Sequence, residues 1–348
     1  MELKQAMEEM IRIPGVSGFE DDIREYIRKK VEGLGLKTKE DNIGDLITTI
    51  GDSGPHVLFI AHMDELGLIV SKINDDGSIR IRKVGGIDDR TLVGRVVEIK
   101  TQKGIVTGVL GLKPPHLMTD ADDRKKVVIW QDVRVDVGTR SKKETERLGV
   151  RVLDPMVFKK DISYITPDII CARGVDDRAG CAVILDALEK LKDRKLPLKI
   201  TFVWSVQEEI GLKGAKVVGF SLRPDYVIAV DTMTTTDAPQ MGDVFERVMI
   251  GSGPALRMFD DRAIASPKLR KMFEEIAKAA KIPLQYGTGG GATDGAVIQD
   301  FGSLMMPLGI PMRYTHSPTE CASVRDMENT SKLMVKIAER IAKDSKRR

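Results

Sequence analysis

Two hydrophobic periodicities divide the chain. Ile23, Tyr26, Ile27 and Val31 recur at helical spacing, with Ser17 and Glu20 ahead of them at capping-box distance and Gly33 and Gly35 behind. The run HVLFIAH, residues 56–62, is continuously apolar, as a strand covered on both faces must be. From about residue 67 the pattern becomes alternating. LGLIVSKINDDGSIRIRKVGG alternates on both sides of the turn signal Asp75, Asp76, Gly77, and RVVEIK, GIVTGVLG and QDVRVDVG continue the pattern. One short helix, capped by Ser141 and Glu144, interrupts it. After about residue 164 strands and helices alternate again. Ala179, Val183, Ala187, Leu188 and Leu191 line one helical face, KITFVWSVQEE and YVIAVD read as buried strands, and Ser266 with Pro267 starts another helix. Leu333, Ile337 and Ile341 mark a closing amphipathic helix. The pattern therefore predicts an α/β domain, residues 1–66 and 164–348, interrupted by a β-rich domain at 67–163.

Composition narrows the class. In 348 residues, 42% hydrophobic and 31% charged side chains suffice for a sizeable core with a solvated surface. The formal charge of +3 is spread out, apart from the terminal Lys346, Arg347 and Arg348, so no nucleic-acid partner is expected. Cys171, Cys181 and Cys321 have no CxxC spacing, which suits small core residues in a reducing compartment. No apolar run is long enough for a signal peptide or a membrane span, and a cytoplasmic location is the expectation.

Candidate chemistry gathers where strands end. In an α/β sheet, ligands bind beyond the carboxyl ends of the strands. His62 and Asp64 follow VLFIA, Glu208 and Glu209 follow TFVWSVQ, Asp231 ends YVIAV, and Asp176 and Asp177 lie between DIICA and a helix. His316 follows LMMPLGIPM. Taken alone, a strand-end histidine is usually structural and an aspartate before a helix usually an N-cap. Their convergence points to two divalent metals held by mixed nitrogen and oxygen ligands. Other chemistries fit less well. YGTGGGATDG lacks the Lys-Ser/Thr of a phosphate loop and is not expected to join a strand to a helix in that manner, and is read as a tight loop near the site. No GxSxG elbow offers a serine nucleophile, and adjacent Glu208 and Glu209 cannot flank a sugar from opposite sides.

AHMDELG, GVDDRAG, VQEEIGLKGA, AVDT and RYTHSPTE, in this order and with the β insert after the first, resemble the cytosolic co-catalytic metallo-aminopeptidases of the tetrahedral (TET) type. That group includes glutamyl and deblocking aminopeptidases, and some members carry an endoglucanase label. The resemblance covers essentially the whole chain, including GLKPPHLMTDADDRKK and VDVGTRSKKETERLGV. It implies a mixed-sheet, zinc-peptidase-like catalytic domain interrupted by a small barrel-like dimerisation domain, and a dodecamer built from dimers with short peptides as substrates. It implies that Asp176 bridges two zinc or cobalt ions, with His62 and Asp231 completing one site and Glu209 and His316 the other. Glu208 would be the general base and Asp64 the carboxylate that orients His62. His56 and His116 are left as structural residues. The nearest rival is another two-metal amidohydrolase, a carboxypeptidase or N-acyl amino acid deacylase; a metal-dependent assembly protein without turnover is more distant. First-residue preference stays open at this stage, because its pocket depends on loops such as MTTTDAPQMGD and GTGGGATDG.

Overall fold

The computed structural model describes residues 2–120, 122, 125–239 and 248–346, so the end of the MTTTDAPQMGD loop, from residue 240, lies outside the described residues. The chain separates into two compact units: Met1–Asp64 with Ile162–Thr315 and Thr319–Arg348, and Glu65–Asp161 with His316–Pro318.

The first unit opens with α1 (Leu3–Arg12) and α2 (Asp21–Gly33), followed by β1 (Lys39–Glu40), β2 (Leu46–Ile50) and β3 (His56–His62). Every residue of β3 is buried, as its unbroken apolar run requires. The capping box expected ahead of α2 does not form: Glu20 occupies the N-cap position without a side-chain cap bond. Ser17 and Glu20 satisfy that spacing, but both side chains are used elsewhere, as described below.

The second unit contains β4 (Gly67–Ile73), β5 (Ile79–Val84), β6 (Val96–Thr101), β7 (Gly104–Leu110), β8 (Val135–Asp136), the short α3 (Lys142–Arg147) and β9 (Pro155–Phe158). The six strands close into an antiparallel barrel in the order β4-β5-β8-β7-β6-β9. Inward residues such as Leu68, Val70, Ile81, Val97, Ile99 and Met156 form its core. Ser141 caps α3 by accepting from the Glu144 amide, as its spacing predicts.

The first unit resumes with β10 (Ser163–Tyr164), β11 (Ile169–Ala172), α4 (Val175–Leu191), β12 (Lys199–Ser205), α5 (Lys213–Leu222) and β13 (Tyr226–Thr234). It ends with β14 (Ala255–Phe259), α6 (Pro267–Ala280), β15 (Gln285–Thr288), α7 (Asp294–Gln299), β16 (Leu304–Met305), β17 (Leu308–Arg313), β18 (Glu320–Ser323) and α8 (Val324–Ser345). Twelve strands make one mixed sheet whose main path is β1-β2-β12-β3-β13-β17-β18-β11-β10. Its centre is parallel: β3 pairs β12 on one side and β13 on the other, so three carboxyl ends lie side by side. Helix α4 is buried on nearly every side rather than along one stripe, because it packs against α1, α8 and the sheet. The glycine-rich segment corrects an expectation, since it does join a strand, β15, to a helix, α7. With no Lys-Ser/Thr and only six helical residues it is still no phosphate loop.

Candidate active site

Parallel register sets the first residues of the site. Ser205, the last residue of β12, pairs with His62, the last of β3, and Asp231 lies in the same layer of β13. His62 and Asp231 are buried at 3% and 8% exposure, so these polar groups are held out of water where the apolar runs stop. His62 Nε2 lies 3.4 Å from Asp176 Oδ1 and 3.9 Å from Asp231 Oδ1. Two groups of ligand atoms have all members within 4.8 Å of one another: His62, Asp176 and Glu209, and His62, Asp177 and Asp231.

The start of α4 separates the roles of its two aspartates. Asp176 and Asp177 are joined by a cis peptide bond and have non-helical backbone angles. Asp177 Oδ1 accepts from the Gly180 amide at 2.9 Å, which is the work of an N-cap. A side chain at position 180 would meet that carboxylate at 2.3 Å, so glycine is required there. Asp176 is thereby left to face His62. Glu320, from the RYTHSPTE segment, accepts from the amides of Gly174 at 2.9 Å and Asp176 at 3.3 Å and fixes this turn from below.

Asp64 organises the rest. Fully buried, it accepts from Ser17 Oγ at 2.6 Å and from the successive amides of Glu208 at 3.0 Å and Glu209 at 3.2 Å. Its Oδ1 is 3.4 Å from His62 Nδ1, whose other neighbour is the Asp64 carbonyl oxygen at 3.1 Å. One carboxylate thus lies against the imidazole and pins the backbone that carries both glutamates. Gln207, at a φ of 56°, makes the turn after β12, and its amide donates to Glu20 Oε1 at 3.2 Å. Ser17 and Glu20, read from sequence as a helix cap, support the site instead.

Electrostatics follow from this crowding. Burial, reinforced by neighbouring carboxylates, drives Glu208, Glu209 and Asp177 well above the ordinary carboxylate range. Asp231 is pushed up to about 7, first by burial and then by the charge of Asp176. Asp294, at the start of α7, is pushed up to about 6 by burial, and it is hydrogen-bonded to Ser205. Burial disfavours the His62 imidazolium, yet hydrogen bonds to Asp176 and Asp64 and the charge of Glu208 outweigh it and raise His62. Asp64 alone among these acids is lowered: the His62 hydrogen bond and charge and the Ser17 hydroxyl overcome its burial. So many buried carboxylates around one imidazole stay ionised together only if cations share the space. The donor set, one imidazole nitrogen with several carboxylate oxygens, suits a divalent metal ion.

Neither ligand group contains His316, whose contacts place it with the barrel unit. There its Nδ1 lies where a side chain on Gly86 would approach to 3.3 Å. Sequence reasoning singled out His62, Asp64, Asp176, Glu208, Glu209 and Asp231, read Ser17 and Glu20 as a helix cap, and gave Asp294 and Glu320 no role. Neither of the last two has a spacing that marks it.

Comparison with known proteins places this arrangement. The model of the M42 glutamyl aminopeptidase family matches residues 44–333. The chain belongs to that family. Its relatives include a lysyl aminopeptidase of Pyrococcus furiosus, 34% identical over 345 residues and covering 97% of each chain. Among solved structures it is similar to the TET1 peptidase of Pyrococcus horikoshii, described as assembling into a tetrahedron or a large octahedral shell. That likeness has 40% identity, a TM-score of 0.90 and coverage of 97% of this chain and 99% of the other. It is also similar to a TET aminopeptidase from the marine sediment archaeon Thaumarchaeota archaeon SCGC AB-539-E09, with 30% identity, a TM-score of 0.93 and coverage of 99% and 100%. M42 peptidases are metal-dependent, and this chain is a metallo-aminopeptidase, a hydrolase of peptide bonds. No described helix is long and apolar enough to cross a membrane.

Proposed function

We propose that this M42 peptidase removes N-terminal residues from short peptides with two divalent ions, zinc or cobalt, and that Glu208 is the general base. The observation that supports the reading is the gathering of His62, Asp176, Glu209 and Asp231 in two overlapping groups of ligand atoms, with Glu208 in neither group and its charge felt at His62. In this reading Asp176 would serve both ions, His62 and Asp231 would complete one ligand set, and Glu209 and His316 would complete the other. When bound, the ions supply a water of lowered pKa and polarise the scissile carbonyl. Glu208 takes a proton from the attacking water and delivers it to the leaving amine nitrogen. Asp64 holds the tautomer and direction of His62 through Nδ1 and fixes the Glu208 amide, so base and ligand keep a constant separation.

The barrel is proposed as a dimerisation domain within a dodecamer. Val96 and Val109 are cross-strand partners, and both are exposed, as is Ile105 on the same hairpin. Exposed β-branched pairs on a hairpin are suited to burial against a second copy. A hollow assembly with enclosed sites would admit peptides and exclude folded proteins. A cytoplasmic location belongs to the same reading.

Hydrolysis of short peptides with free and with acetylated N-termini, after chelation and after return of zinc or cobalt, tests the proposal. Metal-restored release of single residues from free N-termini is the expected result. Cleavage confined to acylated or C-terminal bonds would replace the reading with a deacylase or a carboxypeptidase.

A further inference from the structure

Two of the three cysteines, far apart in the chain, meet in the sheet. Cys171 of β11 is the direct cross-strand partner of Cys321 of β18. Directly opposed residues of an antiparallel pair project from one face with Cα atoms about 4.5–5.5 Å apart, inside the span that a disulfide bridges. Both thiols are free; Cys321 is buried and Cys171 half-buried. Cys321 Sγ donates to the Thr319 carbonyl at 3.3 Å, and its thiol is pushed up to about 12, first by burial and then by a hydrogen bond with Cys171. The third thiol is used elsewhere: Cys181 is fully buried and donates to the His62 carbonyl at 3.1 Å.

Arg313 of β17 is the partner of Cys321 on its other side, so Cys171, Cys321 and Arg313 form a row across three strands on one face. The guanidinium is held by both oxygens of Asp237, at 3.1 and 2.6 Å, and its charge draws the Cys321 thiol down against the burial that raises it. A partly exposed thiol in a pair beside a cation is the setting in which cysteines meet oxidants. The next pair in the same register is Ala172 with Glu320. Glu320 clamps the amides of Gly174 and Asp176 and lies 3.5 Å from Arg173 Nη1. The thiols therefore stand one register step from the clamp under the Asp176 turn.

We propose that Cys171 and Cys321 are a modification site, at which a peroxide oxidises the pair to a cross-strand disulfide that locks β18 and its Glu320 to the strand leading into Asp176. The Cys171 sulfur, the more exposed, attacks one peroxide oxygen; the O–O bond breaks, and the hydroxide leaves as water with the thiol proton. The Cys321 sulfur then attacks the sulfenic sulfur, the S–O bond breaks, and the Cys321 proton leaves with that hydroxide as a second water. The two thiols lose two electrons, which the peroxide gains. Asp176, Glu208, Glu209 and Asp231 all lie between the two cysteines in the chain, so the bond closes a long ring around most of the candidate ligands. Long rings gain most from a cross-link in the chain-entropy account.

The test treats zinc-loaded protein with hydrogen peroxide, zinc being redox-inert. Free thiols are then alkylated after unfolding, and the digest is mapped without reductant. The expected result is a Cys171–Cys321 cross-link in a chain that runs as a monomer on a denaturing, non-reducing gel, with Cys181 alkylated. The melting midpoint of the oxidised protein should lie several degrees above that of the reduced protein, return with dithiothreitol, and not shift on peroxide treatment in Cys171→Ser or Cys321→Ser. In Cys321→Ser, dimedone should trap the Cys171 sulfenic acid. Both thiols left free or carried on to sulfinic acid, or a bond to Cys181 or to a second copy, overturns the site. A midpoint at or below that of the reduced protein overturns the lock. The wild-type map decides alone should a variant not fold, and none of these outcomes depends on the aminopeptidase reading.

Discussion

Inside the barrel, side-chain chemistry and burial agree. Along β5, Ile79 and Ile81 are buried while Arg80 and Arg82 are exposed, and Val97 and Ile99 of β6 face the same core. At the carboxyl ends of β3, β12 and β13 they conflict. His62, Asp64, Asp177 and Asp231 are all buried, and neighbouring carboxylates push one another's pKa values up. The barrel gains its stability from fitting residues to their positions, whereas the strand ends hold charge that water would otherwise solvate. Where a sequence keeps such a conflict, the compensation comes from chemistry at the site.

The comparison can be broken most forcefully at Glu208. Glu208→Gln should lower kcat by about 10²–10⁴-fold with bound metal retained and a melting midpoint no lower than wild type; near-normal turnover would remove Glu208 from the role of base. The opposite pattern is expected in the barrel, where Phe158, 1% exposed, belongs to the core. Phe158→Ala should cost about 3–5 kcal/mol in unfolding free energy, measured by guanidinium denaturation, and a loss below that range would mean a loosely packed barrel. Asp64→Asn tests the organiser of the strand ends and should weaken metal affinity about 10–100-fold in a chelator competition. An unchanged affinity would reduce Asp64 to a backbone anchor.

A further expectation concerns stability against pH. Asp45 is fully buried, and burial followed by the charge of Asp41 pushes it up to about 9, although its Oδ1 accepts from the Val206 amide. Because the folded pKa lies above the ordinary carboxylate value, the native state binds the extra proton between the two, and stability falls as pH rises through that window. Melting curves from pH 5 to pH 9 should therefore decline less steeply in Asp45→Asn than in wild type. Parallel slopes would show that Asp45 is not the group responsible.

Much of this was legible because the two periodicities are long and locally enforced. The alternation around Asp75, Asp76 and Gly77 appears as the β4–β5 hairpin, and Ser141 and Ser266 cap the helices they precede. The misreadings arose where one sequence pattern serves two structures. Ser17 and Glu20 have capping-box spacing, yet Ser17 donates to Asp64 and Glu20 accepts from Gln207, contacts 47 and 187 residues away in the chain. Asp176 and Asp177 are equally good caps by sequence, and only the Gly180 amide shows which one is used. Glu320 gave no signal, because a single charged residue in a short strand looks like an exposed edge until the strand is placed in the sheet.

The central claim, a two-metal aminopeptidase, is tested most directly by titrating zinc or cobalt back into the chelated protein while following release of the first residue from a free N-terminal peptide. The account predicts that activity rises until two ions are bound per subunit and then levels off. Full activity with a single ion, or undiminished activity in the chelated protein, would contradict it.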